Sequence, residues 1–325
     1  MKGHSVDFFV QKKDLIEDYS IIKPTLIDQQ KNKALQTLKL YKLIKSISPD
    51  ISIIRFPNGF FALSSIIFSK ICGSKIILYQ QIESNKINEI FEEKSNLLSR
   101  IRYLFLFKLF QACLMTPLRN QNSNESKIRK NIYYVPFAIE NSDRSYEFKK
   151  KKRILSIGKF QIRKRHLLSL KVLNNLKEIL DFHYTIVGEI STIEHRKYFM
   201  EIFDYIKKFN LDNNVTIFAN IPYNQISNFY KDSDIYLLSS TEEPAAISPL
   251  EALGYGLVNI CTNQCGTTTY FKHMKNALIF DPNNENELSE MIKKLTLNEN
   301  LFKEIFFNTK KSKDEISNEN FYKYF

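Results

Sequence analysis

Five short apolar segments in the second half of the chain, each with a helical stretch after it, restrict the fold more than any other feature. RILSIG (153–158) precedes LLSLKVLNNLKEIL, FHYTIVGE (182–189) precedes a helical stretch over 194–209, and NVTIF precedes NQISNFYKDS. DIYLLSS (234–240) then leads into a helix over 248–255, and LVNICT (257–262) is followed by a helix from about Glu285. Strands separated by helices cannot pair as hairpins. Each needs a crossover, and the product is a parallel, doubly wound sheet. Near-continuous apolar runs such as KIILYQQ (75–81) fit strands buried on both faces.

The first half alternates in the same way. VDFFV (6–10), ISIIRF (51–56), KIILYQQ, ACLMT and NIYYVPF read as strands. The segment 33–47 reads as a helix with Leu40, Leu43, Ile44 and Ile47 on one stripe, and FALSSIIFSKI reads as another after the turn PNG. The alternation restarts after the basic run Lys149–Arg153, which puts a boundary between a domain over 1–148 and a domain over 149–325. A length of 325 residues is that of two domains. The expected fold class is α/β, with two Rossmann-like doubly wound domains facing each other across a cleft that would take the substrate.

Composition narrows the function classes. A hydrophobic share of 43% supplies full cores, and no uninterrupted apolar run is long enough for a membrane span. The start of the sequence lacks the pattern of an export signal, so the expected location is cytoplasmic. Cys72, Cys113, Cys261 and Cys265 are too few for a disulfide framework, and with no histidine beside the close pair no metal is expected. His4, His166, His183, His195 and His273 are scattered; only His166 lies beside a lysine cluster.

The net charge of +12 is concentrated. Residues 1–150 carry 24 Lys+Arg against 14 Asp+Glu, a net +10, which leaves +2 for the rest. A basic half suits an anionic partner such as a phospholipid surface or a phosphorylated acceptor; a plain compositional bias toward Lys, Ile, Asn and Phe accounts for it equally. Residues 94–124, with the aromatic run YLFLFKLF and no acid between Lys94 and Arg119, read either as a core helix or as a basic amphipathic one.

Two stretches carry chemistry. In SSTEEPAAISPLEALGYG (239–256), Glu243 and Glu251 are separated by seven residues. Ser248-Pro249-Leu250-Glu251 fits a capping box, with serine at the N-cap and glutamate at the third helical position. Glu243 has no such structural duty and lies in a small-residue loop at a strand end, where a ligand would meet it. In Gly158-Lys159-Phe160-Gln161-Ile162-Arg163-Lys164-Arg165, cations at a strand end five residues apart can clamp a diphosphate; the bland alternative is a solvated basic loop. The glycine that a Walker A loop needs before Gly158 is missing. Asp232-Ser233-Asp234 reads as turn residues with local capping rather than as a metal motif.

Taken in order, these stretches resemble the family-4 (group 1) retaining glycosyltransferases of the GT-B fold. The match includes Lys159 and Lys164, IVGE (186–189), V-x-I-x-A (215–219), SDIYLLSS, the Glu-x7-Glu segment, CGTTTYF (265–271) and NALIFDP (276–282). It covers most of 153–310 and is faint over 1–145. The family's opening strand and glycine-rich loop have no counterpart before GHSVDFF. The family's histidine gives way to Gln80 and Gln81, Ala245 and Ala246 stand where an aromatic and a glycine are common, and Lys159 replaces an arginine, losing its fork.

The resemblance implies transfer of a sugar, with retention, from a nucleoside-diphosphate sugar to a hydroxyl of a glycan or lipid-linked saccharide, in bacterial cell-surface polysaccharide biosynthesis. It implies that Glu243 binds the transferred sugar, Lys159 and Lys164 the diphosphate, and Glu251 the ribose. Gly158 and backbone groups of Ala246, Ile247 and Ser248 would complete the donor site, with 217–221 near the base. No cofactor or metal is expected. The expected partners are the nucleotide sugar, a glycan or lipid-linked acceptor and, through the basic domain, an anionic membrane at the inner face of the plasma membrane. The chief rival is a non-catalytic relative that binds a nucleotide sugar. A basic nucleic-acid-binding protein is the distant one, against which the order of the motifs speaks. The absence of Gly-x-Gly-x-x-Gly argues against a dehydrogenase.

Overall fold

A computed structural model describes residues 9–10, 25–26, 33–55, 60–81, 101, 104–118 and 132–315. The chain divides into two compact units, Met1–Pro117 with Ser123–Tyr134, and Leu118–Asn122 with Val135–Phe325.

In the first unit, β1 (Phe9–Val10) pairs in parallel with β2 (Thr25–Leu26). Helix α1 (Lys33–Ile47), β3 (Ile51–Arg55), α2 (Phe60–Ile71), β4 (Lys75–Tyr79), β5 (Cys113–Thr116) and β6 (Ile132–Tyr134) follow. The last four strands form a parallel sheet in the order β3-β4-β5-β6. Ile66, Ile76, Leu78, Leu106 and Leu114 make its small core. The stretch 104–109, inside the aromatic run, is a π-helical turn with Leu106 buried and Phe105 exposed. The turn PNG, the rest of 82–103 and residues 119–131 lie outside the described residues.

The second unit is the fuller one. Its elements are β7 (Lys152–Ile157), α3 (His166–Leu176), β8 (Phe182–Gly188), α4 (Ile193–Lys208), β9 (Val215–Ala219), α5 (Tyr223–Lys231), β10 (Ile235–Leu238), α6 (Ser248–Gly254), β11 (Val258–Thr262), β12 (Ala277–Phe280), α7 (Glu285–Leu297) and α8 (Glu299–Glu315). The six strands are parallel, in the order β12-β11-β10-β7-β8-β9. From β7 the chain winds outward one way through β8 and β9. It then returns to the centre and winds the other way through β10, β11 and β12. The boundary between β7 and β10 is therefore the topological switch point, and the loops leaving the carboxyl ends of those two strands open the crevice where such sheets hold ligands.

Alternation along the strands divides the core into two layers. Ile154, Ile235 and Leu237 face α3, α4, α7 and α8, whereas Leu155, Tyr236 and Leu238 face α5 and α6. Each fully buried leucine, isoleucine or phenylalanine contributes about 1.5–3 kcal/mol. In α4, Tyr198, Ile202 and Ile206 recur every four residues and form its buried stripe. Thr192 starts that helix by accepting the His195 N–H at 3.2 Å, and Asn284 starts α7 by accepting the Glu287 N–H at 3.1 Å.

Within the basic run at 149–153, Lys150 and Lys151 are exposed but Lys152 is not. Lys152 opens β7 fully buried, its ammonium 3.3 Å from the Phe148 ring centroid and 4.4 Å from that of Phe302, donating to the Lys149 carbonyl at 2.5 Å. Burial lowers its pKa to about 8. Asp234 also does more than turn the chain. Its buried carboxylate accepts from the Arg153 backbone N–H (2.9 Å) and from Arg144 (2.7 Å), tying the start of β10 to β7 and to the segment before it.

Candidate functional site

The loop after β7 supplies the cations. The Gly158 N–H donates to the Val187 carbonyl at 3.0 Å, which continues the β7–β8 ladder by one residue. A 3-10 turn over Ile162–Lys164 follows, closed by Arg165 in the left-handed region at φ 53°. That geometry sends neighbouring cations in different directions. Lys164 turns inward and is buried, with its Cε 3.2 Å from where a Cβ on Gly158 would sit. Lys159 points outward to Glu189, Nζ to Oε2 3.2 Å, in an exposed pair.

The loop after β10 supplies the carboxylate. Ser239 Oγ lies 3.1 Å from the carbonyls of Lys164 and Arg165, and the Thr241 N–H donates to the Arg163 carbonyl at 2.8 Å. The two loops are thus stitched together across the switch point. Glu242 takes a left-handed conformation (φ 50°), after which Glu243 forms a parallel bridge with Cys265. Its N–H donates to the Gln264 carbonyl and its own carbonyl accepts from Gly266, both at 3.0 Å. Gly266 is required there, because a Cβ would collide with the Pro244 carbonyl.

Glu243 is buried, and one of its oxygens, Oε2, accepts from Lys164 Nζ at 2.5 Å and from Arg163 Nη1 at 2.6 Å. Buried, charge-assisted bonds of this kind fix a carboxylate far more firmly than an exposed pair does. Of the expected residues, Glu243, Lys164 and Gly158 come together here. Lys159 stands apart on Glu189. Arg163 joins the cluster although the charge run gave no means of distinguishing it from its neighbours.

Glu251 occupies a different environment. The helix α6 has Ile247 at its N-cap (φ −82°, ψ −32°) with no side-chain cap, and Ser248 is already inside it. The expected capping box is therefore corrected. Ser248 Oγ lies 2.6 Å from the Tyr236 hydroxyl, and the Glu251 carboxylate accepts from the Tyr230 hydroxyl at 2.7 Å instead of reaching back along its helix. Two buried tyrosines beneath α6 offer hydroxyls that the serine and glutamate satisfy in preference to the helix end.

Around Glu251 is a cavity of about 360 Å³, lined among others by Glu140, Tyr223, Ser227, Tyr230, Ile247 and Tyr255. The Tyr230 and Tyr255 rings stack at 5.3 Å and 5°, and the Tyr255 hydroxyl donates to Glu140 Oε2 at 2.8 Å. Burial raises the Glu251 carboxyl above the usual carboxylate range; the Tyr230 hydrogen bond opposes this and the charge of Glu140 adds to it. Burial also pushes the Tyr255 hydroxyl up to about 12. Sequence reasoning missed Glu140, Tyr230 and Tyr255. The crowding of tyrosines at 223, 230, 236 and 255 around Glu251 was the available signal.

Ile247 is exposed and lines this cavity, whereas Ala246 is buried with its N–H toward the Cys265 sulfur. His166 opens α3 fully buried, between Phe160 and Tyr198, and neither ring nitrogen has a hydrogen-bond partner among the described residues. Burial first, then the neighbouring Lys164 charge, lowers its pKa to about 3, so it is neutral. All four cysteines are free, and no cluster of metal-ligating side chains occurs among the described residues. Among those residues no helix is long and apolar enough to cross a membrane.

Comparison with known proteins gives the family and the fold. The family described as glycosyl transferases group 1 matches residues 138–312. A glycosyltransferase from Rickettsia africae superposes with a TM-score of 0.72 at 20% identity, over 93% of this chain and 83% of that one. HepE of Anabaena, solved with UDP and glucose, gives 0.68 at 12% identity, over 91% and 82%. Sucrose-phosphate synthase from Thermosynechococcus elongatus gives 0.67 at 13% identity, over 96% and 84%. No curated protein matches the chain. These likenesses show the expected fold, the two-domain Rossmann-like GT-B architecture.

Proposed function

The chain belongs to the glycosyl transferases of group 1, and from that premise we propose that it moves a sugar from a nucleoside-diphosphate sugar to a hydroxyl of a glycan or lipid-linked saccharide, with retention of configuration. The observation that carries this reading is the buried Glu243–Lys164 pair at the β7–β10 switch point. Glu243 keeps Oε1 for hydroxyls of the transferred sugar. Lys164, with Lys159 on the same loop, meets the diphosphate and stabilises the charge that develops as it leaves. Glu251 takes ribose hydroxyls in the cavity beneath α6; Anabaena HepE, of similar fold, was solved with UDP. The N–H groups of Ile247 and Ser248, at the start of α6, assist the phosphates, whereas that of Ala246 is taken by the Cys265 sulfur.

The acceptor side belongs to the first unit, whose α1 carries Lys33, Lys39, Lys42 and Lys45 and no acid. We place the enzyme at the cytoplasmic face of an anionic membrane, with cell-surface polysaccharide assembly as its setting. The reading is tested by incubating the protein with UDP-, GDP- and ADP-linked sugars and following nucleoside diphosphate release and the anomer of the freed sugar by NMR. Release with the retained anomer from one donor, lost in Glu243→Ala, is expected. Release from none, or release unchanged by that substitution, sinks the proposal, and an inverted product removes retention.

A further inference from the structure

We propose that Arg163 is a ligand of the donor's β-phosphate, a cation of this site that neither the charge run nor the family pattern singles out. The inference rests on the nucleotide-sugar reading above and adds a residue to it.

Charge balance gives the first reason. The Glu243 carboxylate carries one negative charge, yet Lys164 and Arg163 both bond its Oε2, at 2.5 and 2.6 Å. Lys164 alone is sufficient to compensate it, because that pair is buried on both sides, at 9% and 8% exposure. Arg163 is 39% exposed and leaves the cluster with an excess positive charge open to solvent. Such an excess suits an anion that arrives from outside.

Geometry gives the second. The Arg163 guanidinium is fastened at two points: Nε donates to Gln161 Oε1 at 3.0 Å and Nη1 to Glu243. Its backbone is fastened too, the carbonyl accepting from Thr241 at 2.8 Å. The plane of the fork is fixed before any ligand arrives, while Nη2 has no partner among the described residues. A rigid guanidinium with unused donors matches phosphate oxygens. Lys159 presents a different case, its exposed ammonium paired with Glu189 at 3.2 Å, a contact it would have to leave to reach a phosphate.

Position gives the third. Glu243 is the residue assigned to the transferred sugar, and the β-phosphate is the phosphate bonded to that sugar. A cation hydrogen-bonded to Glu243, as Arg163 and Lys164 both are, would therefore stand beside the β-phosphate. A carboxylate on a sugar acid is the other anion that could meet a guanidinium at that point.

Titration calorimetry on the full chain separates these outcomes. The probes are nucleoside mono- and diphosphates of uridine, guanosine and adenosine together with UDP-glucuronate, and the proteins are wild type, Arg163→Ala, Arg163→Lys and Lys159→Ala. Arg163→Ala should weaken diphosphate binding by about tenfold, the size of one charge-assisted hydrogen bond, with monophosphate binding unchanged. Arg163→Lys should recover part of that loss, and it remains informative should the alanine variant fail to fold. Lys159→Ala should lose less than Arg163→Ala. Diphosphate binding equal to wild type in Arg163→Ala overturns the inference. So does an equal loss for mono- and diphosphate, or a loss seen only with a sugar-acid donor such as UDP-glucuronate. If wild type binds no nucleoside diphosphate, the nucleotide-sugar reading falls and the inference falls with it.

Discussion

Glu243 compensates a buried lysine besides being the residue proposed for the transferred sugar, so removing it has two separable effects. Glu243→Ala should abolish transfer and also lower stability by about 3 kcal/mol, because Lys164 is left as an uncompensated buried charge. Chemical denaturation measures the second effect and product analysis the first. His166 gives a pH-dependent counterpart. Its pKa is held at about 3 in the fold against about 6.5 in the unfolded chain, so the unfolded state binds the extra proton between those values. Stability contributed by the neutral ring is fully present above about pH 6.5 and is lost as pH falls toward 3, at up to about 1.4 kcal/mol per pH unit. His166→Phe should flatten that slope, as read from urea melts at pH 7.5 and 5. At this scale the sequence showed Glu243 and Lys164 through their motif. It could not show Arg163, because the difference between cations in GKFQIRKR comes from a 3-10 turn and one left-handed residue, neither of which leaves a spacing signal.

The loop after β7 is shaped by the strand beside it. A Cβ on Gly188, the last residue of β8, would lie 2.5 Å from the Phe160 ring and 2.6 Å from the Gly158 carbonyl. Gly188→Ala should therefore cost about 2 kcal/mol of overpacking strain and displace the loop that carries Lys164. The expected readout is a lower melting temperature together with weaker nucleotide binding; a fold and an affinity both unchanged would show that the loop does not depend on this contact. Elements themselves were legible wherever the apolar period was strong, as at Ile51–Arg55 and Ile235–Leu238. The start of α6 was not. Ser-Pro-Leu-Glu satisfies a capping pattern on paper, but Tyr230 and Tyr236, distant in sequence, claim the glutamate and serine and shift the cap to Ile247. Tertiary hydrogen bonds overrode a local rule.

At the scale of the whole molecule, the winding order around β7 is what makes a site. Two loops that are 80 residues apart in sequence, at Arg163 and Glu243, leave adjacent strands and share one carboxylate. The βα alternation read from sequence implied such a switch point, because only a doubly wound order packs helices on both faces of the sheet. The place where the units part was harder to see. Lys149–Arg153 marks the boundary in the sequence, yet it lies within the second unit, where Phe148 and Phe302 enclose Lys152. The concentration of positive charge in the first half remains the feature to probe on membranes. Vesicles with anionic headgroups should bind the chain, and neutral vesicles should not, in a sedimentation assay.

On the proposed function, the second unit holds a nucleoside diphosphate with Glu251 on its ribose. Titration calorimetry of the intact chain with uridine, guanosine and adenosine diphosphates tests it most directly. Saturable one-to-one binding of one of the three is expected, lost in Glu251→Ala while the protein stays folded. No heat of binding with any of them, or binding that survives Glu251→Ala unchanged, would contradict it.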